Sequence, residues 1–214
     1  MLGMPNLDRD LDVGEIILPF RGGATRATVP EAKHFRATWL AGSLRALRER
    51  GYFDQYLELL PKELHDPVLG SVAGTWLPTS VALAHYTACD SLGLSMSELI
   101  EIGREVTRQV HGTVLGFLVR LAKGAGVSPW AVLPRLGDLW DRVWIGGGVS
   151  VIKLGPKEAR IELAGWPCAA TLYTRVAMRG VVAALFELFC ARAYVNEVPR
   201  LCTKTMLAYR LSWV

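Results

Sequence analysis

"IKLGPKEARIELAG", residues 152–165, has the pattern of a β-hairpin. Gly155 and Pro156 form a turn signal between two short arms. The second arm alternates apolar and charged side chains, in the order Ala159, Arg160, Ile161, Glu162 and Leu163. Period-two alternation is typical of a strand with one buried face. We therefore predict a two-stranded hairpin in a chain that otherwise has mainly helical patterns.

The end of the chain supplies a third strand. Between Met206 and Trp213 the residue character again changes with period two, and we expect this strand to lie beside the hairpin. The remaining long patterns are helical, and they cover about 43–50, 52–60, 79–92, 97–123, 130–144 and 169–195. The fold class is therefore α+β, with a mainly helical bundle packed on a small antiparallel sheet.

Local signals predict where several helices begin. Ser43, Thr79 or Ser80, and Ser97 are the expected N-caps, because serine and threonine oxygens accept from free backbone N–H groups. Gly112 and Gly116 lie four apart in the long helix. Glycine costs about 1 kcal/mol in a helix interior, so this pair predicts close packing against another element or a kink.

The first 33 residues differ from the rest of the chain. They carry prolines, a Gly-Gly pair and one isolated apolar patch, "EIILPF" at 15–20. Such a segment cannot form its own core. We predict an extended arm or tail over 1–33, disordered or docked through the patch, and one domain over 34–214.

Composition excludes several classes of function. The chain of 214 residues has a formal net charge of only +4, with acids mixed among the basic residues, which argues against nucleic-acid binding. It is 51% hydrophobic with a mean hydropathy of +0.25, yet it has no uninterrupted apolar run that would span a membrane. Residues 1–12 show no export signal, and the four cysteines have no CxxC pairing. We expect a cytoplasmic protein with free thiols.

Four stretches carry a family resemblance: "WLPTSVALAHYTACDSLGLS" (76–95), "GGGVSVIKLGPKEARIELAGWP" (146–167), "YTRVAMRG" (173–180) and "AYRLSW" (208–213). The chain resembles the superfamily of heme–nitric-oxide-binding domains, vinyl-reductase-type sensor domains and TRAPP vesicle-tethering subunits. Within it, the chain looks most like a myxobacterial paralogous family of unknown function. The resemblance implies a cleft between sheet and helices that holds an apolar ligand. It also implies that Cys89 or Cys190 could carry a fatty acyl chain, as a cysteine does in the tethering relatives.

Heme and metal chemistry are not expected from the residues. The resemblance places an axial histidine in the helical region before the sheet, but "WAVLPRLGDLWDRVW" (130–144) has none. The propionate motif of the relatives is matched only by mis-spaced residues in "YTRVAMRG". His85 and Cys89, with His111, would give at most three zinc ligands, whereas structural zinc takes four. We therefore predict no cofactor and no metal.

Catalysis is not expected either. There is no Gly-x-Ser-x-Gly elbow and no phosphate-binding loop, and Cys89 with His85 is the only local nucleophile–base pair. Six residues either fill the core or line a ligand pocket: His85, Tyr86, Cys89, Phe117, Tyr173 and Phe186. The first hypothesis is a non-enzymatic regulatory domain that binds a small apolar molecule and dimerises. The alternatives are an interaction module that acts through a homodimer or a protein partner, and a redox sensor that uses Cys89.

Overall fold

The structure is a computed structural model that describes residues 14–109 and 128–214. Its α-helices run in chain order as α1 Ala37–Glu49, α2 Phe53–Leu59, α3 His65–Leu69, α4 Thr79–Asp90, α5 Met96–Gln109, α6 Pro129–Val132, α7 Leu136–Val143 and α8 Leu172–Phe186. The strands are β1 Glu15–Leu18, β2 His34–Arg36, β3 Trp76–Pro78, β4 Trp144–Ile145, β5 Gly148–Gly155, β6 Glu158–Ala164, β7 Ala193–Glu197 and β8 Met206–Trp213.

The larger sheet confirms the predicted hairpin. β5 and β6 pair antiparallel around Pro156 and Lys157, and β8 pairs with the other edge of β6. Two further strands, β1 and β7, complete a five-stranded order of β1-β5-β6-β8-β7. A second sheet has the order β3-β2-β4. The α+β fold class is confirmed, with two small antiparallel sheets where the sequence predicted one.

The hairpin is buried on both faces, which corrects the expectation of one buried face. Arg160 and Glu162 point away from the helices, yet they are only 3% and 2% exposed. The arm covers them: Arg26 donates to the two carboxylate oxygens of Glu162 at 2.8 and 2.7 Å. β1 pairs with β5, and Phe20 packs on Ala164. β1 therefore extends the sheet at its edge, and the segment that follows β1, with Phe20 and Arg26, lies on the outer face.

Several helix ends differ from the predictions. Ser43 is not a cap but a buried residue inside α1, which already begins at Ala37. α4 begins at Thr79 without a side-chain cap. Ser95, rather than Ser97, caps α5: its Oγ accepts from the Glu98 N–H at 3.3 Å, while Glu98 Oε2 accepts from the Ser95 N–H at 2.8 Å. This reciprocal pair is a capping box.

The last helix is shorter than predicted. α8 ends at Phe186; of the residues predicted to continue it to Val195, 187–191 form turns and bends and 193–195 begin the edge strand β7. At the other end, the Thr171 side chain accepts from the Thr174 N–H. The apolar composition of this region is compatible with either a buried helix or a buried strand. Its pairing with β8 in the structure shows that residues 193–197 form a strand.

α5 and α8 cross with their backbones in contact. A Cβ on Gly103 would lie 1.9 Å from the Ala177 oxygen, and a Cβ on Gly180 would lie 1.9 Å from the Ile100 oxygen. Gly112 and Gly116, for which the sequence predicts close packing or a kink, lie outside the described residues. In the described part of the chain, no helix combines the length and apolar character needed to cross a membrane.

Candidate functional site

A cavity of about 120 Å³ lies between the larger sheet and the helices. The sheet side consists of Val149 on β5 and of Ile161 and Leu163 on β6. These residues share the inner face of the hairpin, because Val149 pairs with Leu163. The other walls come from α1, α5, α7, β4 and α8, through Trp39, Thr107, Leu136, Leu139, Trp140, Val143, Trp144, Met178, Val181, Val182, Leu185 and Phe186.

The described lining of this cavity is uncharged. Its polar groups are already engaged at two positions: Thr107 Oγ1 donates to the Gly103 oxygen at 3.0 Å, and Trp140 Nε1 donates to the Gly146 oxygen at 2.9 Å. Trp39 Nε1 is buried and has no hydrogen-bond partner among the residues that the structure describes. An apolar, uncharged wall excludes ionic ligands, because a charge moved there loses its hydration without gaining a partner.

A smaller cavity of about 30 Å³ adjoins the first one. Trp39, Met178 and Val181 line both spaces, so they form the wall between them. The lining of the smaller cavity includes four hydroxyl-bearing residues, Ser43, Tyr86, Tyr173 and Thr174. The two cavities therefore form an apolar and a more polar compartment on either side of one wall.

Behind the smaller cavity, His85 sits at the centre of a buried hydrogen-bond network. Its Nδ1 is 2.7 Å from the Tyr56 hydroxyl, and its Nε2 is 2.9 Å from Ser43 Oγ. Ser43 Oγ is in turn 3.1 Å from the Tyr173 hydroxyl. All four side chains are buried, so the network is closed to solvent.

One arrangement of protons gives every donor in this network an acceptor. Tyr56 O–H donates to His85 Nδ1, His85 Nε2–H donates to Ser43, Ser43 O–H donates to Tyr173, and Tyr173 donates to the Cys89 sulfur. His85 is then neutral, in agreement with burial, which lowers its pKa to about 3. Burial likewise raises the pKa values of Tyr56 and Tyr173. The network is thus a neutral, fully paired polar core.

The two cysteines predicted as acylation sites have different surroundings. Cys89 is 1% exposed, and its sulfur lies 3.7 Å from His85 Nε2. Burial raises the pKa of its thiol, which is the opposite of what a redox-sensing or nucleophilic cysteine requires. Cys190 is half-buried and donates to the Phe186 oxygen at 3.2 Å. Acylation stays a prediction, and Cys190 is the more accessible of the two.

The predicted pocket residues fall into two groups. His85, Tyr86, Cys89 and Tyr173 lie together: Tyr86 stacks on Tyr173 with ring centroids 5.9 Å apart, and both line the smaller cavity. Phe186 lines the larger cavity instead. Phe117 lies outside the described residues. The sequence analysis did not single out Trp39 and Met178, because neither belongs to a pattern that marks a cavity wall.

The described residues contain no group of three or more His, Cys, Asp or Glu side chains that could hold a metal ion. His85 and Cys89 are the closest approach to such a group. Both nitrogens of His85 are occupied by Tyr56 and Ser43, so the imidazole has no free lone pair to offer.

Solved structures have the same arrangement of helices and sheet. A mutant of the unliganded Fe(II) H-NOX protein from K. algicida superposes with a TM-score of 0.60 at 10% identity, over 84% of this chain and 96% of that one. An oxygen-binding H-NOX domain related to soluble guanylate cyclases has a TM-score of 0.55 at 14% identity, over 83% and 94%. The chain has the H-NOX fold. No protein-family model matches it, and a search of curated proteins finds no match.

The described residues around the cavity do not fit a heme. A cavity of about 120 Å³ is well below the roughly 300–1,000 Å³ of ordinary cofactor pockets. Its described walls contain no histidine, cysteine or tyrosine that could ligate heme iron. They do contain the thioether of Met178, but in heme proteins a methionine normally binds the iron as a second axial ligand together with a histidine.

The two arginines that resemble part of a heme-propionate motif already bind partners within the protein. Arg175 forms an ion pair with Glu197, and Arg179 donates to the Val195 oxygen at 3.0 Å. The chain thus has the H-NOX fold, and the apolar space between its sheet and its helices is smaller than an ordinary cofactor pocket.

Proposed function

We propose that this protein is a non-enzymatic regulatory domain that binds a small, uncharged, apolar molecule between its sheet and its helices. The observation that carries the proposal is the uncharged cavity of about 120 Å³. Apolar cavities of about 150 Å³ in other proteins take up benzene. The space thus suits a molecule of roughly that size.

The fold supports a sensory role rather than catalysis. One of the structural neighbours is an oxygen-binding H-NOX domain related to soluble guanylate cyclases. Among the described residues, the imidazole of His85 lies near the Cys89 thiol, and it is neutral and hydrogen-bonded at both nitrogens, so it is not available as a base for a nucleophile. We therefore propose that this chain, like the oxygen-binding neighbour, binds a small ligand, but that it does so without heme.

Benzene-dependent stabilisation tests this function directly. A ligand that binds only the folded state raises the unfolding temperature with its concentration. We expect saturating benzene to raise the melting temperature of the full chain. Val149→Phe places a larger side chain into the cavity from the sheet and should abolish the rise. Val72→Phe makes the same change at a position that is 68% exposed and should leave it intact.

The outcomes separate the hypotheses. A wild-type melting temperature that does not respond to benzene would rule out the ligand-binding proposal. Native mass spectrometry of the same sample, followed by denaturing analysis, would show whether a natural ligand or an acyl group accompanies the protein. Extra mass lost on denaturation indicates a bound molecule, whereas mass that persists indicates acylation.

The alternative is an interaction module acting through a homodimer or a protein partner. It is favoured by exposed apolar residues on the two end strands of the larger sheet: Ile16 on β1 is 63% exposed, and Tyr194 on β7 is 46% exposed. End strands pair readily with other chains. If β1 forms a homodimer, native mass spectrometry should show a dimer for the wild type and a monomer for Ile16→Lys.

Two finer assignments belong to the same proposal. We infer membership of the myxobacterial paralogous family from the four stretches that carry the resemblance. We also infer a cytoplasmic location, which is supported by four free cysteines.

A further inference from the structure

Trp39 has a buried hydrogen-bond donor, Nε1–H, for which the described part of the chain supplies no acceptor. Its Nε1 is buried and unpartnered, although its neighbour in the cavity wall, Trp140, donates to a backbone oxygen. An unpaired buried donor costs roughly 1–3 kcal/mol. Such a group in a native structure requires an explanation, and an unseen acceptor is one.

The position of Trp39 indicates where that acceptor would come from. Trp39 belongs to the wall between the two cavities, together with Met178 and Val181. Met178 is an unbranched side chain that can change its rotamer to enlarge either space. A molecule in the larger cavity would therefore lie against the indole ring, next to the compartment that Ser43 and Tyr173 line.

We propose that the ligand is a neutral, mainly apolar molecule with one hydrogen-bond acceptor, such as a carbonyl oxygen, and that Trp39 Nε1–H donates to this acceptor. The apolar body occupies the larger cavity against the inner face of the hairpin. The uncharged walls select against carboxylates and amines of the same size. This inference rests on the proposed ligand-binding function and adds the chemical class of the ligand and the residue that recognises it.

Two probes of the same shape test the inference. Cyclohexanone has a carbonyl oxygen at the position where methylenecyclohexane has an exocyclic CH₂ group, so only cyclohexanone can accept a hydrogen bond. We expect both to bind the full chain, with cyclohexanone alone moving the indole N–H resonance of Trp39 downfield in a ¹H–¹⁵N spectrum. Trp39→Phe identifies that resonance and should weaken cyclohexanone binding roughly five- to tenfold, with little effect on methylenecyclohexane.

A matched variant controls for the loss of any indole. Trp130→Phe removes a tryptophan that lies away from the cavity and donates to the Pro156 oxygen. It should leave the affinities of both probes unchanged. Equal binding of the two probes in the wild type, with no change in Trp39→Phe, would overturn the role of Trp39 while the proposed function stands. Failure of both probes to bind would overturn the proposed function and this inference with it.

Discussion

A Cβ atom on Gly103 would lie 1.9 Å from the carbonyl oxygen of Ala177, so α5 and α8 touch through their backbones. Gly180 makes the reciprocal approach to Ile100 of α5. This crossing sits directly beside the cavity, because Thr107 and Val181, which follow the two glycines, are both in its wall. The distance between these two helices therefore helps to set the volume available to a ligand.

The first prediction concerns this crossing. Gly103→Ala forces α5 and α8 apart, and we expect a loss of about 3 kcal/mol or more in the free energy of unfolding. Urea denaturation measures it. Gly137→Ala is the control, since a Cβ there meets nothing nearer than Leu18 at 3.8 Å. That variant should be unchanged or more stable by about 0.5–1 kcal/mol. Unchanged stability in Gly103→Ala would contradict the close crossing.

The second prediction concerns pH. Burial lowers the pKa of His85 to about 3 in the folded protein, below its ordinary value of 6.5. The unfolded chain therefore binds more protons between these values, and stability is complete above pH 6.5 and falls as the pH decreases toward 3. The slope from this one group reaches about 1 kcal/mol per pH unit.

Proton NMR of the imidazole measures the titration directly, with His85→Gln assigning the signal. We expect no titration of the His85 ring between pH 8 and pH 4 in the folded protein. Urea denaturation across the same range should show a weaker pH dependence in His85→Gln than in the wild type. A midpoint near 6.5 for His85 would mean that the network is open to water.

The third prediction concerns the start of α8. The Asp90 carboxylate at the end of α4 accepts from the Tyr173 N–H at 2.7 Å and from the Leu172 N–H at 3.3 Å. These N–H groups have no acceptor within their own helix. Asp90→Ala should reduce the free energy of unfolding by about 1 kcal/mol, and Asp90→Asn, which keeps an oxygen acceptor, by less. Glu58→Ala, at an exposed position of α2, is the control; an equal loss in both would contradict the capping role.

The fourth prediction concerns heme. The size of the cavity and its lack of described ligands lead us to expect no stoichiometric heme complex when hemin is added to the full chain. Absorbance titration in the Soret region provides the measurement. A sharp band that saturates at one equivalent, and that a histidine-to-alanine variant such as His85→Ala or His111→Ala removes, would show that the fold retains its heme after all.

The fifth prediction concerns thiol reactivity. Cys89 and Cys168 are buried, whereas Cys190 and Cys202 are partly exposed. Burial raises the pKa of Cys202 to about 11, so it should react slowly despite its exposure. We expect iodoacetamide to modify Cys190 first, then Cys202, and to reach Cys89 and Cys168 only after denaturation. Mass spectrometry of peptides gives the order. Early labelling of Cys89 would contradict its burial and would support its use as an accessible redox sensor or acylation site.

The arm shows how a correct local pattern leads to a wrong prediction of exposure. Arg160 and Glu162 have the alternation of a solvent-facing strand surface, and their side chains do lie on the outer face. They are nevertheless buried, because the segment that follows β1 folds back over that face and Arg26 pairs with Glu162. The charged positions of a strand predict which face of the sheet points away from the helices. Whether water reaches that face depends on a segment that is distant in the sequence.

The sequence by itself determined the hairpin, its turn and the C-terminal strand, because period-two alternation and the Gly-Pro signal act between near neighbours. It also determined the fold class and the absence of a histidine from residues 130–144. Only the tertiary structure decided the edge strands β1 and β7, the contact of Gly103 with α8, and the cavity wall at Trp39. Each of these depends on which surfaces meet across long sequence separations, and packing at that range leaves no periodic mark on the residues involved.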